Sequence, residues 1–118
     1  MGKTNLSAKI AVYINSATLG RGDDDLGTTL MRVYLDTLAN YADEISHVIL
    51  INSGVILACR DSTVTEQLRN LADTWIQVLS GGTCLNYFEL ADDLAVGSVS
   101  NMFEIIETMK DCGKTISP

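Results

Sequence analysis

Thr74-Trp75-Ile76-Gln77-Val78-Leu79-Ser80-Gly81-Gly82-Thr83-Cys84-Leu85-Asn86-Tyr87-Phe88-Glu89-Leu90 passes from strand chemistry to helix chemistry within a few residues. Thr74–Leu79 is an apolar run with β-branched and aromatic members and reads as a buried strand. Leu85–Leu90 reads as a short helix. Between them, Ser80 to Cys84 puts two glycines, a capping-type threonine and a thiol at a strand-to-helix turn.

The same alternation runs through the rest of the chain. Upstream, Ala8–Ile14 and Ser46–Asn52 are further apolar runs, each ended by short polar residues: Asn15-Ser16 and Ser53-Gly54. The loop 17–25 joins the first run to a long helix, about Leu26–Tyr41, with Leu30, Val33, Tyr34 and Leu38 at helical spacing. Val55–Arg60 is an apolar connection. Asp61-Ser62-Thr63 then introduces a helix with Thr63-Val64-Thr65-Glu66 as a capping box and Val64, Leu68 and Leu71 as its inner stripe. Downstream, a short strand is expected near Val96. Ser100 or Asn101 caps a last helix whose stripe is Met102, Ile105, Ile106 and Met109; Gly113 follows it, and Lys114-Thr115-Ile116 is a final strand. Continuous apolar strands separated by helices indicate a largely parallel sheet covered on both faces. The expected fold is a three-layer α/β/α domain over residues 8–118, layered as in flavodoxin, with right-handed crossovers and a frayed polar segment at 1–7.

At 118 residues the chain holds one domain, and 47% apolar against 19% charged residues is a globular balance. A net charge of -7 repels phosphate backbones and anionic lipid, so neither nucleic acid nor a membrane surface is an expected partner. No apolar run approaches the roughly 20 residues of a spanning helix. The N-terminus lacks an apolar export core, and Leu6 replaces the Ser or Thr of a myristoylation signal. The cysteines, Cys59, Cys84 and Cys112, are three in number and form no CxxC pair. This disfavours a disulfide framework or a zinc site and fits reduced thiols in the cytoplasm, with no metal and no cofactor.

In open parallel sheets ligands bind beyond the carboxyl ends of the strands. Asn15, Asn52 and Gly81–Cys84 all fall there. Cys84 at or near the first position of its helix meets free amides and the positive helix end, which favour a thiolate. Gly81, Gly82 and Thr83 let backbone amides approach an anion. The competing reading makes Cys84 a small apolar lining residue. Asn15 and Asn52 are either turn formers or two amides facing one crevice. Arg21 and Arg60 leave strands on the same side and are the available cationic partners for a thiolate, or solvated arginines. Cys59 is a candidate second thiol or a packing residue; Cys112 is structural. His47, the sole histidine, starts its strand and lies away from the crevice, which disfavours a Cys–His mechanism. Asp23, Asp24 and Asp25 occupy the helix start after the first strand and would repel a nucleotide or flavin phosphate.

Four motifs in order carry a resemblance: Gly20-Arg21-Gly22-Asp23-Asp24-Asp25-Leu26-Gly27 with Leu30-Met31; Asn52-Ser53-Gly54-Val55; Gly82-Thr83-Cys84-Leu85; and Gly97 with Ser100-Asn101-Met102. Over about Lys9–Pro118 the chain resembles the DsrE-like family, and more narrowly the DsrE-like domain of YedF-type sulfurtransferase-like proteins of selenium metabolism. The resemblance implies a sheet of about five parallel strands, a homo-oligomer, and a cytoplasmic sulfur relay. In that relay Cys84 takes a persulfide sulfur from a donor protein, TusA-like or similar, and passes it to an acceptor. Family members often carry a second cysteine where this chain has Gly81, and YedF-type chains an N-terminal TusA-like domain that nothing here matches. The expected function is therefore a sulfur carrier or sulfurtransferase component using one cysteine. Its rivals are a non-catalytic module that binds a small ligand or a protein, with the cysteine as lining, and an oligomer-forming subunit with Ile56, Leu57 and Phe88 at its interfaces.

Overall fold

A computed structural model describes residues 5–118. Five strands, β1 (Ile10–Ile14), β2 (Ile45–Leu50), β3 (Gln77–Gly81), β4 (Ser98–Ser100) and β5 (Lys114–Ile116), form one sheet in the order β4-β3-β2-β1-β5. Every pairing is parallel, as the unbroken apolar runs require. The helices are α1 (Asp24–Leu38), α2 (Thr65–Ala72), α3 (Gly82–Tyr87) and α4 (Met102–Asp111). The three-layer α/β arrangement is thus the one expected. The N-terminal segment expected to be frayed divides: Met1–Thr4 lie outside the described residues, while Leu6–Ala8 is a 3₁₀ turn with Leu6 against the core.

The two faces of the sheet are covered unequally. On one, Met31, Leu35 and Leu38 of α1, Leu68 and Leu71 of α2, and Leu85 of α3 close over Val12, Ile14, Val48, Leu50 and Val78. On the other, α4 alone places Ile105 and Met109 over Ala11, Ile49 and Leu79, joined by Cys112 just past its end. Fully burying each such aliphatic side chain contributes about 1.5–3 kcal/mol before conformational entropy is subtracted.

Several local readings are corrected by the packing. The buried stripe of α1 is Gly27, Met31, Leu35 and Leu38, so Leu30 and Val33 face outward. The helix begins at Asp24, with Asp23 accepting the Leu26 N–H at 2.8 Å, and this earlier start sets the rotation. The Thr63/Glu66 capping box does not form; Ser62 accepts the Val64 N–H at 3.1 Å and the helix starts at Thr65. Residues 52–58 are a 3₁₀ helix, which buries Leu57 and removes it from any interface. β3 starts at Gln77, because the turn after α2 puts Trp75 at φ 75° with its ring 94% exposed. In α4, Asn101 is the cap, accepting the Glu104 N–H at 2.8 Å, while Met102 and Ile106 of the expected stripe are exposed.

His47 lies near the amino end of β2, buried on the α4 face, with Nδ1 2.7 Å from Ser46 Oγ. Burial pushes its pKa below the usual 6.5, and the Glu104 carboxylate opposes that shift. The unfolded ring therefore protonates first as pH falls, and this contribution to stability is lost below about pH 6.5. Urea unfolding midpoints are expected to drop from about pH 7 to about pH 5.5, and His47→Gln is expected to flatten part of that drop. An identical pH dependence in the two proteins would remove His47 from the account.

Candidate functional site

The carboxyl edge of the sheet carries the candidate residues. β3 ends at Gly81 and α3 begins at Gly82 with no intervening loop, which puts Thr83 and Cys84 directly above the strand end. Cys84 is the third residue of α3, later than expected, and α3 is only six residues long. The helix start therefore offers its sulfur little. The polar partner comes from elsewhere: the main-chain N–H of Asn52 donates to Cys84 Sγ at 3.1 Å.

The backbone that follows this amide is unusual. Asn52 leaves β2 with φ 55°, in the left-handed region that asparagine tolerates better than most residues. Its side-chain Oδ1 accepts the Ser53 N–H at 2.8 Å, which holds the turn. Ile51 is still extended, so the Asn52 N–H follows the alternation of the strand and faces β3, and the left-handed turn comes after it. The amide thus gives a half-buried sulfur a fixed main-chain donor.

Cys84 sits between two cavities. One, of about 420 Å³, is bounded by Asn52, Thr83, Tyr87 and Phe88, whose rings meet edge to face at 5.3 Å. The other, of about 310 Å³, is bounded by Gly81, Gly82, Asn101 and Met102, with Ser100 at its base. Among the described residues no charged side chain lines either one. Gly81 is pressed close: a Cβ there would stand 3.3 Å from Cys84 Sγ and 3.0 Å from Ile51 Cδ1.

The remaining candidates divide. Asn15, Arg21 and Asn52 come together around a separate polar cavity beyond β1, of about 430 Å³, and Asn52 is shared with the first Cys84 cavity. Arg60 joins none of these; it lies 3.9 Å from Asp93 with both side chains largely in solvent. Cys59 is buried and donates to the Val55 carbonyl at 3.3 Å, and burial together with Asp93 pushes its thiol up, so it is no second reactive thiol. Cys112 is buried as expected, its Sγ 3.4 Å from Ser46 Oγ. Among the described residues no three His, Cys, Asp or Glu side chains converge in a way that could hold a metal ion. Among the described residues no helix is long and apolar enough to cross a membrane. The sequence marked Asn52 for its side chain; the structure uses its main-chain amide. The available signal was an asparagine before Ser-Gly at a strand end, where a left-handed turn is favoured.

No family model and no curated protein matches the chain. Solved structures do. The ychN protein from E. coli superposes with a TM-score of 0.72 at 15% identity, covering 93% of this chain and 98% of that one. MTH1491 from Methanobacterium thermoautotrophicum, a protein of unknown function, gives 0.68 at 20% identity over 93% and 98%. BT1422 from Bacteroides thetaiotaomicron, likewise of unknown function, gives 0.66 at 16% identity over 98% and 100%. At such identities the likeness is one of fold, and the fold of this chain is DsrE-like.

Proposed function

We propose that the protein is a single-thiol sulfur carrier, or the carrier component of a cytoplasmic sulfurtransferase, of the kind the YedF-type resemblance implies. The observation that carries this reading is the Asn52 N–H directed at Cys84 Sγ at 3.1 Å. In the loading step, the Cys84 thiolate attacks the outer sulfur of a donor persulfide, R–S–SH. A new Sγ–S bond forms as the donor's S–S bond breaks, and the donor leaves as a thiolate that retains its electron pair. The persulfide proton stays with the transferred sulfur or passes to solvent, and there is no net oxidation. In the unloading step, an acceptor thiolate attacks that outer sulfur and Cys84 departs as a thiolate. Neither step needs a metal or a histidine base. Gly81, Gly82 and Thr83 shape the turn and leave the sulfur approachable from the smaller cavity. Asn15, Arg21 and Arg60 are not assigned to the transfer.

The donor and acceptor in this reading are thiol proteins, TusA-like or similar. The neutral lining around Cys84 supports a protein-borne sulfur over a small dianionic donor. Exposed Val99, Met102, Phe103 and Ile106 beside the site support self-association, since contiguous apolar surface of this kind marks interfaces.

Mass spectrometry of a Cys59→Ser, Cys112→Ser protein after exposure to a protein persulfide is expected to show one added sulfur, on Cys84. A protein that gains none is a binding module with Cys84 as lining. Because a Cβ at position 81 would stand 3.3 Å from Cys84 Sγ, Gly81→Cys is expected to form an internal disulfide under mild oxidant. The readout is loss of two hydrogen masses and of alkylation at Cys84; two freely alkylated thiols would show that the turn cannot close. Light scattering is expected to give a multiple of the 12.8 kDa chain, and Phe103→Glu to reduce it; a monomer at all concentrations would remove the self-association.

A further inference from the structure

The order β4-β3-β2-β1-β5 contains one reversal. From β1 the chain proceeds through α1 to β2 on one side, and from β4 it returns through α4, on the opposite face, to β5 on β1's other side. The connections that leave carboxyl ends part to opposite faces at β3 and β4, beside Cys84; the carboxyl end of β1, between β2 and β5, lies on the same ligand-binding edge of the sheet. A cavity of about 430 Å³ is there, bounded by the end of β1, by Asn52 and by Pro118 beyond β5. That volume is within the usual range for small-molecule sites. It lies apart from both cavities that contain Cys84, sharing only Asn52 with one of them.

The chemistry of its lining is specific. Asn15, Ser16 and Thr18 present an amide and two hydroxyls, and with Asn52 Oδ1 engaged by Ser53 N–H the Asn52 amide offers its NH₂ group. Ser16 Oγ and Thr18 Oγ1 are 3.3 Å apart and hold each other in place. Among the described residues Arg21 is the sole charged side chain of the lining. It forms no ion pair among the described residues, although Asp23, Asp24 and Asp25 follow closely in the chain. Gly20 at φ 81° and Gly22 at φ 125° bracket it, and these left-handed turns, open to glycine, direct the loop so that Arg21 borders the cavity.

We propose that this crevice binds a small polar monocarboxylate, with the Arg21 guanidinium on the carboxylate and the Asn15 and Asn52 amides on its other oxygens. A guanidinium fork matches a planar two-oxygen anion. One cation, three nearby aspartates and a net charge of -7 select a single negative charge over a phosphate or sulfate. The site stands independently of any reaction at Cys84.

The test is a titration of the isotopically labelled full chain with L-lactate, followed by amide NMR shifts. Saturable shifts are expected at Asn15, Ser16, Arg21 and Asn52. Arg21→Gln, on an exposed loop, is expected to weaken binding about tenfold or more. Neutral methyl lactate is expected to leave those amides unmoved, and sulfate to move them only at higher concentration. Absence of lactate shifts, equal response to the ester, tighter binding of sulfate or an unaffected Arg21→Gln would each overturn the proposal.

Discussion

The carboxyl end of β2 is tied to the end of β1 by a single main-chain hydrogen bond, Ile51 N–H to the Ile14 carbonyl at 3.0 Å. Everything at the functional edge depends on that tie. It holds Ile51 in extended backbone, so the next amide, that of Asn52, points away from β1 and meets Cys84 Sγ, before the chain turns left-handed at Asn52. Gly54 protects the arrangement from the other side: a Cβ there would come within 2.5 Å of the Ile14 carbonyl oxygen, so only glycine lets the 3₁₀ turn close over the strand end. Three adjacent strands are thus joined at their tips by polar contacts whose donors are all main-chain. Such donors do not move with rotamers, so the sulfur meets a preorganised partner.

How much of this was legible in the residues depended on whether the information was local. The sheet was legible because Ala11–Ile14, Val48–Leu50 and Val78–Leu79 are buried on both sides and so cannot alternate with polar residues. The rotation of α1 was not, because Leu30 and Met31 are equally apolar. Only the cap at Asp23 and the space over β1 and β2 decide which of the two points inward. The start of β3 was misplaced for a related reason. Thr74, Trp75 and Ile76 have strand propensity, yet the turn closing α2 uses Thr74 and Trp75, and propensity yields to that turn. At the site, Cys84 was marked by its neighbours in sequence. The Asn52 amide was not, since its role is set by a partner 32 residues away.

The unequal covering of the sheet has its own logic. Three helices and a 3₁₀ segment share one face, so loss of any one contact there leaves others in place. The opposite face relies on α4, of which Ile105 alone is fully buried; its first turn meanwhile exposes Met102 and Phe103. The same helix carries Asn101, its cap, and follows Ser100 at the base of a Cys84 cavity. Docking of α4, led by Ile105 with Met109 beside it, therefore sets the wall of that cavity, and core packing and site shape are coupled through Ile105.

The burial of Cys59 and Cys112 has a consequence for assembly chemistry. Their exposures are 1% and 9%, so covalent contact with the outside passes through Cys84 alone. The folded chain has a valence of one. Oxidation can join two copies, sulfur to sulfur, and then has nothing left to extend; it can cap a chain with a small thiol, but it cannot build a network. Aggregation through disulfides consequently reports unfolding, because only a chain that has lost its core presents a second sulfur.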